Sequence, residues 1–221
     1  MNSRSKPLAS AYSDRHCLSV ADIRAVEMRG LAAATPLMQR AAQAAFEWIT
    51  TKVPKPARVL VLAGPGNNGG DALVTVYLLH AARYQVDVVM PIQPPIKQAP
   101  NDAMQALIQW QQTGQPIFDR LPTFLSDQDK PELIIDGLFG IGLSRPLGEP
   151  FQSLIDTVNA WQIPVLALDL PSGLEADTGK PLGLPIQASA TMAFLAPCPA
   201  FCAQMAQTYL GECHVATLEH E

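Results

Sequence analysis

The chain has 221 residues, of which 48% are hydrophobic and 16% charged, and its formal net charge is −5. This length and composition are typical of one globular α/β domain with a substantial core. The negative charge and the lack of a basic run argue against nucleic acid as the main partner. The polar N-terminus lacks the apolar stretch of a signal peptide, and no apolar stretch approaches the ~18 residues of a membrane span. We therefore expect a cytoplasmic protein with no membrane partner.

The chain has four cysteines: Cys17, Cys198, Cys202 and Cys213. Three of them lie late in the chain near His214, but their spacing differs from the usual zinc-binding patterns. We expect free, partly buried thiols, with a zinc site as the weaker alternative. Disulfides are not expected in a reducing compartment.

The chain is interpreted as a loose leader over residues 1–17 followed by a single domain over residues 18–221. Ser19 is a candidate N-cap, because Asp22 follows at the spacing of a capping box. Apolar residues then recur at helical spacing and are interrupted near Pro36, which predicts two helices.

The most informative stretch is Arg58–Val74, RVLVLAGPGNNGGDALV. An apolar run, Val59–Leu62, leads into a glycine-rich turn, and a helical pattern follows it. Such a turn presents backbone N–H groups at a helix N-terminus, which is a site for an anion. The turn carries amides and a carboxylate among its glycines: Gly64, Gly66, Asn67, Asn68, Gly69, Gly70 and Asp71.

This turn has two other interpretations. Gly64, Gly66 and Gly69 match the dinucleotide fingerprint, which also requires an acid at the end of the next strand. Asp87 lies near the right count, but it falls inside an apolar run instead of at its end. The remaining alternative is a tight turn with no ligand, although such a turn does not require the NNGGD sequence.

Regular elements are also predicted on either side of a proline-rich segment. Val86–Met90 is predicted as a second strand, and Pro91–Pro100, with four prolines, as a loop. A helix is predicted over Ala103–Gln112, capped by Asn101 or Asp102.

A second glycine-rich turn follows the apolar strand Leu133–Ile135. This strand is predicted to end at Asp136, where open α/β sheets place ligands. Gly140 and Gly142 give the backbone flexibility, and the Arg145 guanidinium can donate two parallel hydrogen bonds. Together these features suit the binding of a phosphate. The alternative is that Asp136 only caps a turn through its side chain.

A third strand, Val165–Leu168, is predicted to end at Asp169. Pro171 and Gly173 then impose a turn, at which Ser172 presents a hydroxyl. The remaining predicted elements are the helix Pro150–Ala160 and the strands Ala188–Phe194 and Cys213–Thr217.

These elements predict a three-layer α/β/α Rossmann-like sandwich with a mostly parallel central sheet. The ends of its parallel strands converge, so we expect Asp71, Asp136 and Asp169 to lie close together. Asn68, Asp136 and Ser172 would supply oxygen ligands, which favours a hard cation over zinc. Composition alone leaves potassium and magnesium both open.

The three turns resemble those of the YjeF N-terminal domain family, the NAD(P)H-hydrate epimerases. The matching stretches are GPGNNGGDALV, then DGLFGIGLSRPL in the pattern DxxFGxGLxRxL, and DLPSGLEADTG in the pattern DxPSGxxxDxG. The resemblance implies an isomerase that interconverts the R and S forms of hydrated NADH and NADPH. It also implies a dehydratase as functional partner and a homodimer.

The resemblance also implies a set of site residues. Potassium would be held by Asn68, Asp136 and Ser172, together with backbone carbonyls. Asp169 would contact the substrate, and our hypothesis is that it transfers the proton during epimerisation. The residues expected to bind the nucleotide are Asn67, Asn68, Gly69, Gly70, Asp71, Gly140, Ile141, Gly142, Leu143, Ser144, Arg145, Pro146 and Asp169.

One position departs from the family pattern. Relatives commonly carry a lysine in T-x-T-F-x-x-x-K-x-G, and aligned from Thr191 this chain has Cys198 at the lysine and Ala200 at the glycine. Lys180 lies on the wrong segment to replace it. This departure motivates the alternative of a ligand-binding or scaffold module with impaired catalysis. A conventional NAD-dependent dehydrogenase is the other rival.

Overall fold

A computed structural model describes residues 17–33, 35–94, 101–124 and 129–218. Of the predicted leader, only Cys17 belongs to these residues. Of the predicted proline-rich loop, Pro91 to Pro94 are described and form a bend and an irregular segment. The rest of both segments lies outside the described residues.

The described residues form a seven-stranded sheet in which all paired strands are parallel. The strands are β1 (Arg58–Ala63), β2 (Gln85–Val89), β3 (Ile117–Phe118), β4 (Leu133–Gly137), β5 (Val165–Leu168), β6 (Ala190–Phe194) and β7 (Glu212–Ala216). Their order across the sheet is β3-β2-β1-β4-β5-β6-β7. The chain therefore reverses its direction of travel between β1 and β4, where such sheets open a crevice at the carboxyl ends of the strands.

The helices of the described residues are α1 (Val20–Ala32), α2 (Leu37–Lys52), α3 (Asn67–Ala81), α4 (Asp102–Gln112), α5 (Phe151–Trp161) and the short α6 (Gln207–Leu210). The predicted elements are all present, with most bounds moved by one or two residues. The Asn101 side chain caps α4 by accepting a hydrogen bond from the Met104 amide at 2.9 Å. The two-residue β3 was not predicted, because its apolar signal is too short to recognise.

Helices cover both faces of the sheet, which confirms the predicted three-layer arrangement. Val59 and Val61 point into a core formed with α2, α3 and α4. Leu60 and Leu62, at the alternate positions of the same strand, point into a second core formed with α5. Because both faces are buried, β1 is a continuous apolar run instead of an alternating one.

The helix α1 lies apart from these two cores. Its Ile23 is only 2% exposed and packs with Leu170, Leu174 and Cys198 from the segments that follow β5 and β6. At the helix start, the Ser19 hydroxyl accepts a hydrogen bond from the Asp22 amide at 3.2 Å, as the predicted cap requires. This packing brings the beginning of the domain to the carboxyl end of the sheet.

Candidate functional site

The first glycine-rich turn is shorter than predicted, because α3 begins at Asn67. The NNGGD residues are therefore the first turn of this helix and not a loop that precedes it. The Gly70 amide already donates to the Gly66 carbonyl at 3.1 Å. A Cβ on Gly69 would lie 1.9 Å from the Gly64 carbonyl oxygen, so the helix can start this close to the strand only with glycine there.

Asp136 and Ser172 contact each other at the ends of β4 and β5. The Ser172 hydroxyl donates to Asp136 Oδ1 at 2.6 Å, and the Ser172 amide donates to Oδ2 at 2.8 Å. The Leu138 amide donates to Oδ1 at 3.2 Å, so Asp136 also caps its own turn, as the alternative interpretation held. Both residues are fully buried. Asp136 lies within β4, because the strand ends at Gly137, one residue later than predicted.

Further oxygen atoms surround this pair. The Phe139 amide donates to Ser172 Oγ at 2.9 Å, and the Phe139 carbonyl oxygen lies 3.0 Å from the same hydroxyl. The Asn68 amide fits best with its nitrogen donating to the Leu168 carbonyl and its oxygen accepting from the Gly140 amide, both at 3.3 Å. Asn68 thus contacts the residues adjacent to Phe139 on one segment and to Asp169 on the next.

Burial raises the pKa of Asp136 to about 6, and the hydrogen bonds from Ser172 and Leu138 partly offset this rise. Among the described residues, no group of three or more His, Cys, Asp and Glu side chains could hold a metal ion. A cation at this site would consequently depend on amide, hydroxyl and carbonyl oxygens beside one carboxylate.

Asp169 is held in a strained conformation directly after β5. Its φ of +66° is a left-handed value that non-glycine residues rarely adopt. Its amide donates to the Met192 carbonyl at 2.7 Å, and its Oδ2 accepts from the Ile141 amide at 2.7 Å. A Cβ on Gly140 would lie 2.1 Å from Oδ2, so glycine is required at that position for the loop to approach the carboxylate.

The Asp169 carboxyl lies within a group of acids. Burial raises its pKa to about 6, the Ile141 hydrogen bond lowers it, and the charges of Glu27 and Arg24 act in opposite directions. Burial also raises the pKa of Asp71 well above its usual value, and Asp169 and Glu27 add to this rise. Acids whose pKa values are raised by burial and by neighbouring charges often mark a functional site.

Two of these charged residues, Arg24 and Glu27, were missed by the sequence analysis. They follow Val20 and Ile23 at helical spacing, on the side of α1 that packs toward the sheet. A Cβ on Gly142 would lie 2.9 Å from the Arg24 guanidinium, which places this cation against the second glycine-rich turn. A signal was available in the charged positions that continue the apolar stripe of α1.

The second glycine-rich turn lines the mouth of the crevice. Ile141 and Leu143 pack inward against two different cores, and the Leu143 amide donates to the Gly140 carbonyl at 3.2 Å. The intervening and following residues are exposed, namely Gly142, Ser144, Arg145 and Pro146. The turn therefore offers its backbone and the Arg145 side chain to solvent, as a phosphate-binding segment would.

Cys198 does not take the place of a cationic side chain. It is 1% exposed and belongs to the apolar cluster around Ile23. Burial, followed by the charge of Asp169, raises the pKa of its thiol, so the thiol remains neutral.

A separate cavity of about 650 Å³ lies between α5 and the segment after β3. It is lined by residues such as Phe124 and Trp161, and it includes none of the predicted site residues.

Residues 34–200 match the family model described as the YjeF-related protein N-terminus. The chain is 47% identical over 207 residues to an NAD(P)H-hydrate epimerase of Bordetella bronchiseptica, covering 90% of this chain and 86% of that protein. It is 33% identical over 210 residues to a bifunctional NAD(P)H-hydrate repair enzyme of Leishmania braziliensis, covering 92% of this chain and 37% of that protein.

A solved structure shares the fold. The crystal structure of yeast ynu0 (YNL200c) aligns with a TM-score of 0.70 at 22% sequence identity, covering 83% of this chain and 82% of the yeast chain. At that identity the similarity concerns the fold alone.

In the part of the chain that the structure describes, no helix is long and apolar enough to cross a membrane.

Proposed function

The chain belongs to the YjeF N-terminal domain family, and we propose that it is an NAD(P)H-hydrate epimerase that interconverts the R and S forms of hydrated NADH and NADPH. The 47% identity to a protein of that name supports the activity. The site supports it independently, since the half-buried carboxyl of Asp169, on a strained backbone, accepts a backbone hydrogen bond at the crevice of a parallel sheet.

The single observation that carries the chemistry is the environment of Asp169. Epimerisation at the hydroxyl-bearing carbon requires its C–O bond to break and re-form, or the ring to open and close. Either route needs a proton to be delivered to the departing atom and taken back when the bond re-forms, and a carboxyl with a pKa of about 6 can do both near neutral pH. The Ile141 amide fixes Oδ2 at 2.7 Å and leaves Oδ1 available for the substrate. Its neighbour Asp71, also with a raised pKa, would exchange protons with it.

The substrate's phosphates would bind at two backbone surfaces. In the first turn of α3, from Asn67 to Asp71, the amides of Asn67, Asn68 and Gly69 precede the first intrahelical hydrogen bond, at the positive end of the helix. The exposed turn from Gly140 to Pro146 would bind the neighbouring ribose or phosphate, with Arg24 and Arg145 as cations at its edge.

Potassium would bind beside Asp136. The donor set fits a hard monovalent cation, because Asn68, Ser172 and the Phe139 carbonyl add neutral oxygens to a single carboxylate. A carboxylate has roughly four lone-pair positions, and protein donors occupy three of those of Asp136. One position is therefore left for the cation. A bound cation would steady the turns that carry Asp169 and the phosphate-binding amides.

The test is an epimerase assay with pure R-hydrate of NADPH, followed by chromatographic separation of the two forms, with and without potassium. The wild type should equilibrate R and S, and Asp169→Asn should not. Thr157→Ala, on the outer part of α5, is the matched control and should retain the wild-type rate. Equal rates for wild type and Asp169→Asn would remove Asp169 from the mechanism.

A second candidate, a binding module without turnover, is favoured by one observation. Cys198 is a buried neutral thiol at the position where relatives commonly carry a lysine. Calorimetric binding of the hydrate without interconversion would support this candidate. Recovery of turnover in Cys198→Lys would then show that the missing cation is the cause.

The wider partners follow from the same proposal. The name of the Leishmania relative, a bifunctional repair enzyme much longer than this chain, suggests that epimerisation is coupled to a second repair step. We expect a dehydratase that consumes one of the two forms. The homodimer and the cytoplasmic location remain predictions, which cross-linking and cell fractionation would check.

A further inference from the structure

Two cysteines from distant parts of the chain meet beside the site. The sulfur atoms of Cys17 and Cys202 lie 2.8 Å apart, although 185 positions separate the residues. Both side chains are partly buried and neither is in a disulfide. A disulfide bond is about 2.05 Å long, so bond formation requires the sulfurs to approach by less than ~1 Å.

The backbone around the two thiols is already held in place. The Leu18 amide, next to Cys17, donates to the Pro197 carbonyl at 2.9 Å. The Val20 amide donates to the Asp177 carboxylate at 2.9 Å. The segment that leads into α1 is thus fixed against the loops after β5 and β6, and the thiols can react without a rearrangement of the fold.

The other two cysteines are far less suited to reaction. Cys198 is 1% exposed and Cys213 is 9% exposed, and each is packed in the apolar cluster around Ile23. Burial raises the pKa of the Cys213 thiol to about 11, so little of it is the reactive thiolate at neutral pH. Oxidation should therefore be selective for the partly exposed pair.

We propose that Cys17 and Cys202 form a reversible disulfide that fastens the start of α1 to the turn after β6. The consequence reaches the site, because α1 carries Arg24 and Glu27 to Asp169 and the second glycine-rich turn. The bond makes the docking of α1 depend on the thiol–disulfide balance of its surroundings. Disulfides of this kind, in proteins of a reducing compartment, are typically transient and redox-sensing.

The oxidant is a low-molecular-weight disulfide such as oxidised glutathione. One protein thiolate attacks the small disulfide, forms a mixed disulfide and releases one small thiol. The second protein thiolate then attacks the protein sulfur of that mixed disulfide and releases the other small thiol. Two protein thiols are oxidised, one small disulfide is reduced, and the two protons leave on the released thiols.

The first experiment detects the bond. The protein is equilibrated with excess oxidised glutathione, alkylated and digested without reductant, and its peptides are analysed by mass spectrometry. We expect one linked peptide pair, joining Cys17 to Cys202, which disappears in Cys17→Ser and in Cys202→Ser and persists in the control Cys213→Ser. Glutathione on each cysteine separately, or alkylation of both, would overturn the proposal.

The second experiment measures the effect on α1 by amide hydrogen exchange and needs no substrate. Oxidation should slow exchange across residues 20–32 by about tenfold or more, because a covalent anchor opposes local opening. Exchange in α5 serves as the internal reference and should not change. The slowing should be missing in Cys17→Ser under the same conditions. An oxidised wild type whose α1 exchanges as fast as the reduced protein would contradict the anchoring role.

Discussion

Asp136 and Asp169 end neighbouring strands of one sheet, and burial raises the pKa of each to about 6. Their surroundings nevertheless differ. Asp136 accepts three hydrogen bonds, two of them from Ser172, in an unstrained strand. Asp169 accepts one, from Ile141, and sits at a φ of +66° among other charged groups. A carboxylate with three of its roughly four lone-pair positions filled by protein donors suits a structural role. A carboxyl that accepts a single hydrogen bond on a strained backbone suits chemistry.

Replacing each acid by its amide should separate these roles. Asp169→Asn should lower the epimerisation rate by about 10²–10⁴-fold, because it removes the proton-transfer group, without lowering the free energy of unfolding. Asp136→Asn should lower the free energy of unfolding and weaken any activation by potassium. Steady-state kinetics and denaturant unfolding of both variants provide the measurement. A larger loss of stability in Asp169→Asn than in Asp136→Asn would reverse the comparison.

The pH dependence of stability tests the raised pKa values. Burial in the folded protein raises the pKa of both acids from an ordinary value of 3.8 to about 6. Between these values the native state binds more protons than the unfolded state, so stability should fall as pH rises from about 4 to 6. The fall amounts to roughly 3 kcal/mol per group at most.

Urea unfolding at a series of pH values measures this slope. In Asp169→Asn the slope should become shallower, because one of the titrating groups is gone. A slope that is unchanged in this variant would show that Asp169 titrates normally in the folded protein.

Gly140→Ala should disturb Asp169 and spare Asp136. The new Cβ would lie 2.1 Å from Asp169 Oδ2, so either the loop or the carboxylate must move. We expect a loss of about 1–3 kcal/mol of stability together with a fall in epimerisation rate. Gly148→Ala is the matched control, because no atom lies within 4 Å of its added Cβ. Similar activity in the two variants would contradict the close packing of the loop.

Ser172→Ala should affect Asp136 instead of Asp169. It removes the hydroxyl that donates to Asp136 and accepts from the Phe139 amide. We expect a loss of about 1–3 kcal/mol, and a higher potassium requirement. Ser189→Ala, an exposed position whose hydroxyl accepts one long hydrogen bond of 3.3 Å, serves as the control. An unchanged potassium dependence would separate Ser172 from the cation.

Local signals explain how much of this site was predictable. Apolar runs that end in an acid and a turn located β4 and β5, and the parallel topology then required their ends to meet. The family assignment, confirmed by the match over residues 34–200, rested on those same turns. The start of α3 was predicted about one turn too late, because the glycines of NNGGD indicate a loop although they lie in the first turn of the helix.

Arg24 and Glu27 could not be located in the same way. Their position follows from the docking of α1 onto segments that lie about 150 residues later in the chain. The apolar stripe of α1 indicates which face of the helix packs, but no local pattern encodes which distant loop that face meets. The same reason hid the approach of Cys17 to Cys202, which the spacing of the cysteines alone did not suggest.

The hydrogen bond from the Val20 amide to the Asp177 carboxylate, across 157 positions, also has a consequence for biosynthesis. Contacts this distant in sequence form late, because the intervening chain must first be made and brought together. The helix α1, which is synthesised first, is therefore docked onto the sheet last. A nascent chain that stops short of Asp177 would contain β1 and α3 but would lack this contact at the start of α1.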